Sequence, residues 1–463
     1  MENFWDYNVW SGINLMSMLL LSLLAANVLK KSVRFLQASL IPTSVLGGII
    51  LLACSGIYRA ISGVNMLDTK FFGGNGAATL EIITYHALAL GFIASTFSAA
   101  SGKLTKQRTT EIFNTGVTTV STYLLQAVVG FGITMVAALC ITGFFPAAGV
   151  LLPFGYGQGT GQALNYGTIY ETEYGFVGGK SFGLTIAAMG FLSASIGGVF
   201  HMYLLKRRGK ITVKTIKDQN LSESQIQADN EIPMQGSMDK MTVQIALVAA
   251  AYVITYWLMA ALGSLLPGMK SVIYGFNFLV GVLTATLVKV ILRQLQKRHV
   301  MKKEYVNGFL MTRVSNFFFD VMVVAGIAAI RLDMLERFWG IALILGGVGL
   351  VITYLYNYYV ARKLFPEYTE EQFLMMYGML TGTASTGIIL LREIDGDFQT
   401  PAADNMVYQN FPAIVFGFPM MLLATLAPQK PVLTLIILAV FFIAMNVLLF
   451  RRQLFRKRRK ASN

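Results

Sequence analysis

The feature that most constrains this chain is a series of unbroken apolar runs. Each is about 20 residues long, the length a helix needs to cross the hydrocarbon core of a bilayer. Eleven are read as crossings, near 10–29, 36–57, 80–101, 112–142, 182–205, 241–264, 271–292, 308–330, 338–361, 409–427 and 431–450. The fourth exceeds the bilayer's need, which predicts a tilted or early-ending helix. Only 13% of the 463 residues are charged, and mean hydropathy is +0.59. Soluble proteins carry about 25% charge, so a water-facing enzyme surface is excluded. Only helices and closed barrels span lipid, and barrel strands would alternate apolar with polar residues. The expected fold is therefore an all-α integral membrane protein.

Two further apolar stretches do not suit a crossing. Residues 146–170 and 373–392 are interrupted at their centres by Gly and Thr. Each is expected to be a re-entrant hairpin of two half-helices. Charge supports this: if both hairpins return to their own side, 28 of the 37 Lys and Arg fall on one side. Seven (Arg59, Lys70, Lys180, Lys270, Arg331, Arg337 and Lys430) fall on the other, and Lys289 and Arg313 lie within spans. The basic side is cytoplasmic, which puts the N-terminus outside and the C-terminus inside. The net charge of +14 reflects this bias rather than a nucleic-acid partner. Glu2 and Asp6 stand where a leader would be basic, so no cleavable signal peptide is expected. Trp5, Trp10 and Trp339 suit one interface, and Tyr354, Tyr356, Tyr358 and Tyr359 the other.

With these directions the chain reads as two inverted five-span repeats. Residues 1–205 hold the first, with its hairpin opening outward; 241–428 hold the second, with its hairpin opening inward. A polar cytoplasmic linker, 206–240, lacks apolar periodicity and joins them. Residues 429–463 add an eleventh span and a basic tail, RRQLFRKRRK, read as a topogenic anchor. Broken helices at matching positions of inverted repeats mark the binding site of a secondary transporter.

The hairpin tips carry the candidate chemistry. A break exposes free carbonyls at one half-helix end and free amides at the next; the amide end attracts anions. The first tip offers Gln158, Gly159, Thr160, Gly161, Gln162 and Asn165, and the second Thr381, Gly382, Thr383, Ser385 and Thr386. Amides at Gly159 to Gly161 and at Gly382 to Thr383 are expected to receive carboxylates. The hydroxyls of Thr160, Thr381, Ser385 and Thr386 would serve substrate or Na⁺, with Thr160, Thr381 and Ser385 as the sodium candidates. Gln158, Gln162 and Asn165 would select substrate polarity. Glycines in a span also serve close helix packing, but their mirror placement here favours a site. Neither tip ends in the Gly-Lys-Ser/Thr of a phosphate loop.

Few charges lie at membrane depth. Arg313 and Asp320 are seven apart on one helix face, with Asn316 between them. They are read either as coupling residues or as a structural pair with a snorkelling Arg. Glu81 is expected to be solvated near the outer surface. Cys54 and Cys140 form no disulfide framework, and His86, His201 and His299 match no ligand spacing. No nucleophile–base set converges in the spans, so no enzyme is expected.

The chain resembles the bacterial sodium/glutamate symporter family. The resemblance begins at LLAANVLKKSVRFLQASLIPTSVLGGII, is strongest at GQGTGQA with the following EYGF and FLSASIGGVF, and is looser at LTGTASTG. It covers about 8–427, excluding the eleventh span. Gln158 stands where many members have His, Ser385 replaces a common Pro, and the charged segment 392–397 has no counterpart. The resemblance implies an inner-membrane, Na⁺-coupled importer of L-glutamate, a homodimer, and an elevator-like movement of the hairpins. Na⁺ is the implied coupling ion, with no organic cofactor. Two alternatives stay open. One is a carrier of another organic anion or hydroxy acid, proton-coupled through Asp320 or Glu81. The other is a channel or membrane scaffold.

Overall fold

The computed structural model describes residues 3–98, 105–209, 230–234, 236–335, 338–395 and 399–453. The linker from 210 to 229, residues 396–398 of the charged segment, the tail beyond 453 and the Ser385 side chain lie outside the described residues. The described elements are helical: α1 (Tyr7–Ser32), α2 (Thr43–Ser62), α3 (Gly76–Ser98), α4 (Lys106–Cys140), α5 (Leu151–Tyr174), α6 (Gly179–Arg207), α7 (Lys240–Leu265) and α8 (Asn277–Lys297). They continue with α9 (Gly308–Ala328), α10 (Trp339–Leu364), α11 (Thr369–Thr381), α12 (Ala384–Arg392), α13 (Ala402–Tyr408), α14 (Asn410–Leu426) and α15 (Pro431–Leu449). Among the described residues, 10 helices are long and apolar enough to cross a membrane, and up to 11 if the bent pair α13–α14 counts as one span.

Local chemistry sets the helix boundaries. Asp239 caps α7 by accepting from Met241 N at 2.8 Å, and Asn307 caps α9 by accepting from Leu310 N at 2.7 Å. Pro42 holds the start of α2 back to Thr43 rather than 36. A proline disfavours helix in the residue before it, so Arg34–Ala38 forms a separate short helix. Lys270–Gly275 likewise separates from α8, which begins at Asn277 rather than 271. The 35 residues of α4 span about 52 Å at 1.5 Å per residue, well beyond the bilayer core.

The helices form two groups. One contains α1, α2, α3, α7, α8 and α9, with α3 packed along α9; the other contains α4, α5, α6 and α10 to α15. The contacts come in matched pairs: α2 lies on α9 as α8 lies on α3, α1 on α2 as α7 on α8, and α6 on α10 as α14 on α4. α15 lies against α4, and the Tyr356 hydroxyl of α10 donates to its Asn446 Oδ1 at 2.8 Å. Close approaches depend on glycine: Gly91 sits under the Phe319 ring, and Ser315 Oγ donates to the Gly91 carbonyl at 2.9 Å. Glu81 is paired rather than solvated, 2.9 Å from Lys180 Nζ.

The end of the linker is docked onto the second half. Ile232 N donates to Glu304 O and Glu304 N to Asn230 O. Lys240 is fully buried, its Nζ 2.6 Å from Glu231 Oε2, and Asn307 Nδ2 donates to the same oxygen at 2.6 Å. Removing one partner of a buried pair strands the other charge at about 3–5 kcal/mol. Glu231→Ala is therefore expected to lower the melting temperature in detergent, and Glu231→Leu with Lys240→Met to recover most of it. Equal melting of the single variant and the wild type would contradict this.

Candidate functional site

The first tip is built by α5. Its residues 151–158 and 160–174 are helical, and Gly159 between them has φ 77° and ψ −170°. Only glycine occupies that region readily, so the helix breaks here. The two arms lie side by side: the Phe154 ring stacks on Tyr166 with centroids 3.7 Å apart. Phe145 stacks on Phe176 at 4.7 Å across the base. Tyr166, Tyr170 and Tyr174, one turn apart, donate their hydroxyls to Met421 O, Ala424 O and Thr425 O, strapping the second arm to α14.

The second tip joins α11 to α12. Gly382 (φ −142°, ψ −106°) ends the first arm, and Thr383 caps the second in a capping box with Thr386. A Cβ on Gly378 would lie 2.8 Å from Gly387 Cα, so these arms also run side by side. His201 ties the base down, with Nε2 2.9 Å from Glu370 Oε2 and Nδ1 2.8 Å from the Tyr354 hydroxyl. Beyond α12, Asp395 accepts from Gln399 N and Thr400 N at 2.8 and 2.9 Å, so part of the charged segment shapes the turn into α13. Burial pushes the Glu393 carboxyl up, and the Lys30 charge opposes that. The hairpin bases sit at opposite ends of the bundle. The first lies by Phe338 and Arg331, and the second by His201 and Lys30.

The tips meet. A Cβ on Gly159 would stand 3.4 Å from Thr383 Cγ2 and 3.8 Å from Gly382 O. One helix, α4, serves both. The Tyr123 hydroxyl donates to Gly157 O at 2.9 Å, and Gln126 Nε2 donates to Leu380 O at 3.0 Å. Each satisfies a carbonyl that the break frees. Gln126 also donates to Thr353 Oγ1 at 2.9 Å, while its own Oε1 is buried without a partner.

Beside the tips is a cavity of ≈ 140 Å³. Gly157, Gln158, Gly382, Thr383 and Ala384 form its tip wall, and Leu88, Phe92, Phe278, Phe319 and Met322 face it from the α3/α8/α9 side. The remaining wall includes Thr119, Tyr123, Gln409 and Asn410. Among the described residues, no side chain lining it is charged. Gln409 and Asn410 reach it from a bend at the start of the tenth expected span, 409–427, where α13 and the 412–426 part of α14 meet at 53°. Pro412 supplies no amide there, and its ring fits against Gly116 of α4.

The structure brings together some of the residues singled out from sequence. Gln158, Gly382 and Thr383 line the cavity with Gly159 beside them. Thr160 donates to Met322 O at 3.2 Å, and its side chain lies against Gly326 of α9. Gly161 lies against Leu88 of α3. Asn165 Nδ2 donates to Gln162 Oε1 and Gly275 O, a separate cluster off the cavity wall. Thr381 donates to Tyr377 O at 2.6 Å. Arg313, Asn316 and Asp320 share an exposed face of α9. The Arg313 guanidinium covers the Phe309 ring at 4.8 Å, and Asp320 lies against the Ser44 hydroxyl. Tyr123, Gln126, Gln409 and Asn410 were not found by sequence reasoning; Pro412 was the available signal for the last two.

The family model described as sodium/glutamate symporter matches residues 9–371 of the chain. No curated protein matches it at a significant level.

Proposed function

The chain belongs to the sodium/glutamate symporter family, and from that footing we propose that it imports L-glutamate, or a similar acidic amino acid, together with Na⁺ across the bacterial cytoplasmic membrane. Ten or more apolar helices in a transporter family make it a multi-pass membrane protein, and the family supports a transport role.

The observation that carries the reading is the meeting of two broken helices beside an uncharged cavity. With no basic side chain on the wall among the described residues, substrate carboxylates are held by free amides at the start of the 160–174 arm and by those of α12 that its capping box leaves open. An unpaired anion in this setting would be costly, so a co-bound cation completes the charge balance. Hard cations take oxygen ligands. Thr160 and Thr381 keep acceptor lone pairs while donating, Ser385 is a third candidate from the sequence, and the unpartnered Gln126 Oε1 lies in the residue that caps Leu380.

The matched contact pairs support inverted repeats, and the opposite hairpin bases support re-entry from the two membrane faces; the Lys and Arg bias supports an N-terminus outside and a C-terminus inside. An elevator movement is supported by both tips belonging to one helix group, against the α3/α9 wall of the other. A homodimer rests on the family resemblance.

In proteoliposomes, labelled L-glutamate uptake is expected to require an inward Na⁺ gradient and to collapse when K⁺ replaces Na⁺. Uptake unchanged by that replacement would reject the coupling. Uptake following a pH gradient instead would favour a proton-coupled carrier, for which Asp320 is the candidate site.

A further inference from the structure

Two residues on the cavity wall have incomplete and opposite hydrogen bonding. Gln158 Nε2, a donor, and Gln409 Oε1, an acceptor, are both buried with no partner. Buried polar atoms in folded proteins are nearly always paired, so each is suited to a ligand group. The orientation of Gln409 is set by its neighbours. Its Nε2 donates to Asn410 Oδ1 at 3.2 Å and lies 3.5 Å from Met379 Sδ, which leaves Oε1 as the free atom. Gln409 is 2% exposed and sits at the α13–α14 bend, held by Pro412 against Gly116.

An amino acid presents two kinds of group here. Carboxylates only accept, and the ammonium only donates. The tip amides and Gln158 Nε2 suit the first and cannot serve the second. The wall hydroxyls of Thr119 and Thr383 keep acceptor lone pairs but are already bonded, to Thr115 O at 3.1 Å and Thr386 Oγ1 at 3.4 Å, whereas Gln409 Oε1 is a buried wall acceptor with no partner at all among the described residues. We propose that Gln409 Oε1 receives the substrate ammonium, so that Gln409 selects amino acids over dicarboxylates of the same length. The proposal rests on the glutamate reading above and assigns the second half of the same site.

Glutarate, which is glutamate without its amino group, is the discriminating probe. In proteoliposome uptake driven by an inward Na⁺ gradient, wild type should prefer L-glutamate. Gln409→Met, close in size, should weaken L-glutamate inhibition about 10- to 100-fold while moving glutarate less than about threefold, as expected for one lost buried bond. Gln158→Met should weaken both compounds alike. Gln409→Glu keeps an acceptor and loses the Asn410 bond; it should retain the preference for L-glutamate, and it serves if the Met variant fails to fold. Equal weakening of both compounds in Gln409→Met, or a lost preference in Gln409→Glu, would overturn the proposal alone. A wild type with no Na⁺-dependent L-glutamate uptake would overturn this proposal and the transport reading together.

Discussion

Gly159→Ala is expected to lower Na⁺-driven uptake by about 100-fold or more, the scale on which a 1 Å displacement acts in a positioned site, while leaving the protein folded in the membrane. Space is not the obstacle. The nearest atoms to a Cβ there are Thr383 Cγ2, Met322 Cε and Gly382 O at 3.4, 3.7 and 3.8 Å, which are ordinary contacts. The obstacle is the backbone, at φ 77° and ψ −170°, a conformation that charges a side chain about 1–3 kcal/mol. Alanine would relieve that by letting the helix run on past 158, and the tip would leave Thr383. Gly132→Ala is the control, since nothing lies within 4 Å of its Cβ. Uptake by Gly159→Ala within threefold of wild type would show that the break does not depend on this glycine.

Gly149→Ala should act on assembly instead. Its Cβ would overlap the Gly130 carbonyl oxygen, and a Cβ on Gly130 would lie 2.5 Å from Gly149 O. Thr134 locks the same crossing, accepting from Gly149 N at 2.9 Å and donating to Pro146 O at 2.6 Å. Both clashing groups are main chain, so no rotamer change relieves them. Overpacking of a core costs about 1–3 kcal/mol and occasionally more; here the upper end is expected. The readout is loss of the monodisperse peak in fluorescence-detected size exclusion and a lower melting temperature. An unshifted melt would mean that the entrance to α5 repacks freely.

The spans were legible because hydrophobic length is a local property: the expected 182–205 and 308–330 became α6 and α9 with small shifts. The breaks at Gly159 and Gly382 were legible for a related reason, since Gly and Thr interrupt the apolar runs at 155–161 and 378–387. What escaped depends on distant partners. Tyr123 reads as an ordinary aromatic in a span until Gly157 is placed beside it, and Gln126 acquires its role from Leu380, 254 positions away. Glu81 looked solvated because Lys180 is 99 positions off. The bend at Gln409 did have a local sign, Pro412, but it fell at the edge of an apolar run where a helix start explained it equally well.

The absence of ionised side chains around the cavity, among the described residues, has an electrical corollary for a carrier. Moving one elementary charge through a membrane voltage involves about 2.3 kcal/mol per 100 mV. A vacant site with no charge of its own has nothing there for the field to pull, so the charge carried at the site is that of the bound substrate and ions. Over a complete cycle the protein's own charges return to where they began, so the current per turnover counts passengers, and a reversal potential reports how many sodium ions accompany each anion.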